Sequence, residues 1–217
     1  MFRDRDDAAL QLAQALAHWR ARHAVVYAIP RGAVPIGALL AQQLDAEFDI
    51  VLTHKLGAPG NPEFAIGAVA ESGWSHVQYR GPGIDDNYIR RETALQLERL
   101  HERRQRYGAA SVPAAGRVVI VVDDGLATGS TMIAALQTLR AQAPQRLICA
   151  VPVAAPDSLR RVRPLADEVV CLYAPADFHA VGQYYDSFDQ VEDNEVIATL
   201  RSARGREGGD LDRKSVV

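Results

Sequence analysis

The sequence predicts an α/β fold with a central parallel sheet flanked by helices, and three observations carry that expectation. Residues 118–122 are five apolar residues without a polar interruption, as expected of a strand buried on both faces. Strand-like and helix-like apolar segments then alternate along the chain, the pattern of parallel strands joined by right-handed crossovers. Every candidate site residue falls at the carboxyl end of a predicted strand or on a loop after one, where ligands of open α/β sheets bind.

The elements follow in order. Residues 8–20 place Leu12, Leu16 and Trp19 at helical spacing. Residues 24–29 read as a strand, 35–44 as a helix and 48–53 as a second strand. Residues 65–70 and 76–79 are short strands around Ser72-Gly73, the signature of a hairpin. Residues 87–107 form a charged helix with few large apolar residues, expected on the surface. Its Arg90, Arg91, Arg103, Arg104 and Arg106 are interleaved with Glu92, Glu98 and Glu102, which predicts mostly solvated charges. Core strands are expected at 117–122, 146–153 and 168–172, with helices between them, one of them at 132–136. A last helix has Asp193 as its N-cap and Val196, Ile197 and Leu200 on its apolar face. Residues 1–201 are expected to form a single domain, and 202–217, rich in Gly, Arg and Asp without periodicity, a disordered tail.

Composition narrows the function classes. The 217 residues carry Lys+Arg 24 against Asp+Glu 27, a net charge of −3, so no global basic field recruits nucleic acid. Cys149 and Cys171 both lie inside apolar runs, which predicts core thiols in a reducing cytoplasm rather than a disulfide or metal pair. No apolar run approaches the roughly 20 residues of a membrane span, and the first seven residues are too acidic for a signal or transit peptide.

The chemistry concentrates after the strand at 118–122. Asp123 and Asp124 come at once, then Gly125, Leu126, Ala127, Thr128, Gly129, Ser130 and Thr131, then the apolar start of a helix. Gly125 and Gly129 allow a close backbone approach to a ligand. Successive amide N–H groups of residues 127–131, at a helix N-terminus and beside three hydroxyls, make a phosphate cradle. Two carboxylates beside a phosphate site repel the ligand unless they serve its other end. They suit hydrogen bonds from a ribose diol, or a hydrated Mg²⁺ that bridges to it. A plain helix cap explains one acid but not two with a hydroxyl-rich loop. No Lys follows Gly129, which excludes the nucleotide P-loop, and the G-x-G-x-x-G spacing of dinucleotide folds is absent. A phosphorelay receiver using the acid pair leaves the Thr-Gly-Ser-Thr loop without a task.

Residues 121–131, VVDDGLATGST, resemble the PRPP-binding motif of the type I phosphoribosyltransferases, and a weaker likeness, closest to uncharacterised bacterial members, extends over roughly 25–196. The resemblance implies a type I phosphoribosyltransferase-like fold with a small hood, its elements at about 56–107 and 174–192. It implies transfer of 5-phosphoribosyl from 5-phosphoribosyl-1-pyrophosphate (PRPP) to a nucleobase-like acceptor, with release of pyrophosphate. Asp123 and Asp124 are then the ribose-gripping catalytic acids, and Gly125, Ala127, Thr128, Gly129, Ser130 and Thr131 bind the 5-phosphate. Mg²⁺ is the expected cofactor, held through PRPP and by Asp123 and Asp124. A cytoplasmic homodimer without a nucleic-acid partner completes the expectation. The alternative is a PRPP-sensing regulator of the same fold without turnover, for which a local arginine patch at 99–106 is the only feature.

Three further segments take their roles beside that motif. Residues 29–37, IPRGAVPIG, follow the first core strand, where Pro30 ends a strand and Gly32 permits a tight turn. Arg31 and Gly32 are expected to meet pyrophosphate, in a position where the family often has a cis peptide that nothing in this sequence reveals. In a chain whose only other lysine is Lys214, Lys55 is expected at the end of the second core strand as a catalytic cation, with His54 as a weaker companion. Phe178, Tyr184, Tyr185 and Phe188 cluster after the last core strand as candidates to stack on a base, or else as a lid packed on the sheet edge. Asp186 is positioned to accept from a ring N–H, and Glu63 and Glu71 are candidate contacts for a base or metal. Ala127 stands where enzymes acting on 6-oxopurines usually carry an aspartate, which argues against that acceptor route.

Overall fold

In the computed structural model, which describes residues 1–108 and 111–211, a five-stranded parallel sheet forms the centre. Its strands are β1 (Val25–Ala28), β2 (Glu47–Ile50), β6 (Val118–Val122), β7 (Arg146–Val153) and β8 (Glu168–Tyr173), in the order β2-β1-β6-β7-β8. A second sheet is antiparallel: β3 (Thr53–Ala58), β4 (Asn61–Ala70) and β5 (Ser75–Val77). The helices are α1 (Arg5–Ala15), α2 (Val34–Leu44), α3 (Asp86–Tyr107), α4 (Ser130–Arg140), α5 (Pro156–Val162) and α6 (Asp193–Leu211).

Side-chain alternation divides the sheet into two cores. Val26, Ala28, Ile120, Val122, Ile148 and Ala150 face a cluster containing Leu12, Leu16, Ile36, Leu40 and Leu200 from α1, its C-terminal flank, α2 and α6. Val25, Tyr27, Val119, Val121, Cys149 and Val151 face the opposite cluster, which includes Met132, Leu136 and Leu139 of α4 and Leu159 and Val162 of α5. Each strand residue thus has an apolar neighbour on its own side, which is why β6 reads as a continuous apolar run. Cys149 is buried and Cys171 half-buried, and both are free thiols, as the sequence predicts.

Chain order reverses between β1 and β6. From β1 the chain crosses outward to β2, and from β6 it crosses the other way to β7, so the helices after β1 and β6 diverge. A crevice at the carboxyl ends of these two strands is the place where open α/β sheets bind ligands.

Five expectations need correction. The second core strand ends at Ile50 rather than Thr53, because the chain leaves the central sheet there: Val51 N–H still bonds Ala28 O of β1, but Leu52 O accepts from Glu71 N–H, next to β4. Lys55 therefore stands on β3, opposite Ala68, and not at the end of β2. The hairpin gains β3 as a third strand, which a local reading of 65–79 cannot include. The surface helix α3 buries a seam of Gln96, Leu100 and Tyr107. The last helix runs on to Leu211, into the stretch expected to be disordered, although Gly205, Gly208 and Gly209 are poor helix formers. Residues 212–217 lie outside the described residues. No helix among the described residues is long and apolar enough to cross a membrane.

Candidate active site

Two loops meet in the crevice. Asp123 and Asp124 leave β6 at its carboxyl end, and residues 30–33 leave β1 beside them. The contact is intimate: a Cβ on Gly32 falls 1.9 Å from Asp124 Oδ2, so glycine lets the β1 loop pass without displacing the carboxylate. The Pro30–Arg31 peptide bond is cis. The Arg31 side chain turns to Glu192 Oε2 at 3.3 Å and Asp193 Oδ1 at 3.8 Å, near the start of α6.

The acid pair sits in an unfavourable place for two negative charges. Burial, and then the neighbouring Asp124 charge, raise the Asp123 carboxyl well above the usual carboxylate range. Burial also raises Asp124, and the Arg5 guanidinium opposes that shift. The pair is therefore built to gain from a ligand that donates hydrogen bonds or brings positive charge.

Arg5 is a site residue that sequence reasoning missed. It is the first residue of α1, with its side chain 12% exposed, and its Nη2 lies 3.3 Å from Asp124 Oδ2. Nη1 donates to Asp189 O at 2.7 Å, and the guanidinium covers the Phe188 ring at 4.1 Å from its centroid. One arginine ties the acid pair to the aromatic segment. In the sequence it lies inside RDRDD, a run that reads as a solvated terminus.

The loop after the acid pair, residues 125–131, is anchored at its ends and open between them. Leu126 is buried, its N–H bonded to Val153 O and its carbonyl to Ala155 N–H. Gly125 packs so tightly that an added Cβ meets Val181 at 2.6 Å. Gly129 is left-handed at φ 71° and is the N-cap of α4, while Ala127, Thr128, Ser130 and Thr131 are exposed. Thr128 Oγ1 and Ser130 Oγ are 3.3 Å apart, so the two hydroxyls line one side together. The sequence-predicted acids, β1 loop and phosphate loop thus come together in one crevice.

The aromatic segment divides. Phe178 and Tyr184 stack at 5.6 Å with 16° between their planes, and both remain partly exposed. Tyr185 is 5% exposed, packs on Phe2, and donates from its hydroxyl to Asp124 O at 2.7 Å. It is a support beneath the acid pair and has no face left for a base. Tyr185→Phe is expected to lower stability by about 1 kcal/mol, or about 2–4 °C in melting temperature, because the Asp124 carbonyl loses its donor. Thermal unfolding of the variant checks this. Asp186 is exposed, and its N–H donates to Phe2 O.

Glu71 is not available to a base or metal, because Arg104 claims both of its oxygens. The side chain of Glu63 lies outside the described residues. Lys55 is exposed on β3, and burial together with Arg103, Arg99 and Lys55 lowers the His54 imidazole. Among the described residues no cluster of three or more His, Cys, Asp or Glu side chains forms a metal cage. Asp123 and Asp124 are the adjacent carboxylates in the crevice that could hold a Mg²⁺ keeping most of its waters.

The chain is similar to known proteins over most of its length. The family of phosphoribosyl transferase domains matches residues 5–188. Proteins of Mycobacterium tuberculosis strains CDC 1551 and H37Rv, each provisionally named a phosphoribosyl transferase, are 42% identical over 209 residues. The match takes in 94% of this chain and 47% of each relative, so the chain spans about half the length of the curated relatives it matches. The crystal structure of TT1426 from Thermus thermophilus is similar at 44% identity and a TM-score of 0.83, covering 92% of this chain and 97% of that one.

Proposed function

The chain belongs to the phosphoribosyl transferase family, and from that premise we propose that it transfers 5-phosphoribosyl from PRPP to a nitrogenous base and releases pyrophosphate. The observation that carries the reading is the meeting of the acid pair, the glycine-hydroxyl loop and the Gly32 turn in one crevice. An anion site and a diol site on one loop match a sugar phosphate, and the Gly32 turn adds main chain where a second anion leaves.

In this mechanism the chain positions groups and does no covalent chemistry. The amides and hydroxyls of 127–131 hold the 5-phosphate. Asp123 and Asp124 accept hydrogen bonds from the ribose hydroxyls, fixing C1 between the leaving pyrophosphate and the incoming base. The bond from C1 to the pyrophosphate oxygen breaks with its electron pair going to pyrophosphate, and the base nitrogen forms the new bond to C1 as its N–H proton passes to solvent. Main-chain groups of Arg31 and Gly32 face the leaving group. Closure of the stretch that includes the antiparallel sheet and Lys55 would exclude water from an oxocarbenium-like transition state. Phe178 and Tyr184 offer the aromatic face for the base, with Asp186 as a polar partner. Mg²⁺, when bound, neutralises pyrophosphate charge, and Asp123 and Asp124 are the residues that would hold it. The same reading extends to a cytoplasmic homodimer.

Two results test it. PRPP with Mg²⁺ is expected to raise the melting temperature, by about 2.7 kcal/mol of added stability at a hundredfold excess over Kd. No stabilisation at millimolar PRPP contradicts the reading, and stabilisation without turnover of any base points to a PRPP sensor. Gly32→Ala is expected to push the Asp124 carboxylate off Arg5 and weaken PRPP binding about tenfold or more, the size of one lost charged hydrogen bond. Calorimetric titration of that variant with PRPP checks the second result, and unchanged affinity rejects it.

A further inference from the structure

We propose that α5 aims the phosphate loop from behind, with Ser158 and Arg161 as its positioning residues. This rests on the phosphoribosyl reading of the crevice and goes beyond the motif, which ends at Thr131.

Peptide geometry sets the direction of the loop amides. In a trans peptide unit the carbonyl of one residue and the N–H of the next point in opposite directions. The only cis bond among the described residues is Pro30–Arg31, so the units joining Ala127 to Thr128 and Thr128 to Gly129 are trans. Ser158 Oγ donates to Ala127 O at 2.6 Å, and Arg161 Nη2 donates to Thr128 O. Both carbonyls are therefore held toward α5. The N–H groups of Thr128 and Gly129 must then point away from α5, both to the same side. Neither N–H bonds a described residue. Two parallel N–H groups followed by a left-handed glycine make the concave nest that binds an anion.

The rest of the packing supports a dedicated clamp. Ser158 is 2% exposed, and its hydroxyl reaches across 31 residues to the loop. A Cβ on Gly129 meets Ser158 Cβ at 3.3 Å and Val162 Cγ2 at 3.7 Å, so the helix lies directly against the loop. Arg161 Nη2 is also 3.4 Å from Ser158 Oγ, linking the two donors. Ala127 and Thr128 are exposed, and without these donors solvent competes for their carbonyls and the peptide planes are free to rotate. The carboxyl-side helix of β7 thereby decides where the amides after β6 point.

Calorimetric titration with ribose 5-phosphate and, separately, with pyrophosphate tests this on the full chain. Ser158→Ala and Arg161→Ala are each expected to weaken ribose 5-phosphate about fivefold or more, the scale of one lost hydrogen bond. Pyrophosphate affinity stays unchanged, because that ligand uses the Gly32 turn. Arg161→Lys, which keeps a charged donor, recovers part of the loss. Arg161 is exposed, so its replacement leaves the fold intact, and melting temperatures verify that. Unchanged ribose 5-phosphate affinity in both alanine variants overturns the clamp. An equal loss for both ligands also overturns it, since a general loosening does not discriminate between them. If the unaltered protein binds PRPP but the variants bind ribose 5-phosphate normally, the clamp fails and the proposed function stands. If the unaltered protein binds neither ligand, the phosphoribosyl reading fails and takes the clamp with it.

Discussion

Replacing Arg104 by alanine is expected to lower the melting temperature by about 10 °C, from a loss of about 3–5 kcal/mol. Asp49 on β2 is 1% exposed, and Arg104 Nη1 sits 2.6 Å from its Oδ1. The same guanidinium bonds Glu71 through Nε and Nη2, and Ile50 O at 2.7 Å. Arg104 thus fastens α3 to both the central sheet and the antiparallel sheet. Without it, Asp49 keeps donors from Ile50 N–H at 2.7 Å and Val112 N–H at 3.0 Å but has no counter-charge. The loss is that of an uncompensated buried carboxylate. Its pH dependence has a definite sign. Burial already raises the Asp49 carboxyl above its ordinary value, against the pull of Arg104. In the variant that rise is opposed only by the Ile50 and Val112 N–H donors, so the folded state holds the proton more tightly than the unfolded state. Stability then falls as pH rises from the unfolded value of about 4 through the higher folded one, and the penalty of the variant narrows toward acid pH. Urea unfolding of both proteins at pH 7 and pH 5 reads the difference. An equal penalty at the two values rejects a buried charge as its cause.

Asp123→Asn with Asp124→Asn is expected to cost most of the activity, whereas Asp123→Asn alone, which leaves Asp124 paired with Arg5, is expected to raise stability. If each carboxylate accepts a ribose hydroxyl worth about 1.5–3 kcal/mol, the double variant loses about 10²–10⁴ in kcat/KM for PRPP. The free protein has the opposite interest. Burial and mutual repulsion disfavour the two charges. In Asp123→Asn the new amide oxygen would still accept the Asp124 N–H, which now bonds Asp123 Oδ1 at 2.9 Å. Asp123→Asn alone should therefore raise stability by about 1 kcal/mol, or about 2–4 °C. A fall in melting temperature together with unchanged kcat/KM removes the acid pair from the site.

The parts that were legible in the sequence share a physical cause. Strands buried on both faces have to be apolar throughout, so β1, β6 and β7 stand out, and a loop that binds phosphate through its backbone needs glycines and hydroxyls in a row. Parts set by contacts distant in sequence left no local mark. Arg5 meets Asp124 across 119 residues, and Ser158 meets Ala127 across 31. Arg104 looks like its neighbours Arg103 and Arg106, although it continues the Gln96–Leu100 seam by one more step of four residues. That spacing is the signal that identifies it. Strand β3 was hidden because THKLGA mixes polar, charged and glycine residues and finds its order only against β4. Tyr185 shows the limit of aromatic clustering: Phe178 and Tyr184 keep part of their surface exposed, whereas Tyr185 faces the core with its hydroxyl on a backbone carbonyl.

PRPP-dependent glycosyl transfer in this crevice is tested most directly by mass spectrometry. The reaction contains the protein, Mg²⁺, PRPP and a pool of purine and pyrimidine bases, with pyrophosphate quantified in parallel. One or more new nucleotides are expected in step with released pyrophosphate, both lost in the Asp123→Asn, Asp124→Asn variant. PRPP recovered intact with every base, and no nucleotide above the variant's level, would contradict glycosyl transfer at this site.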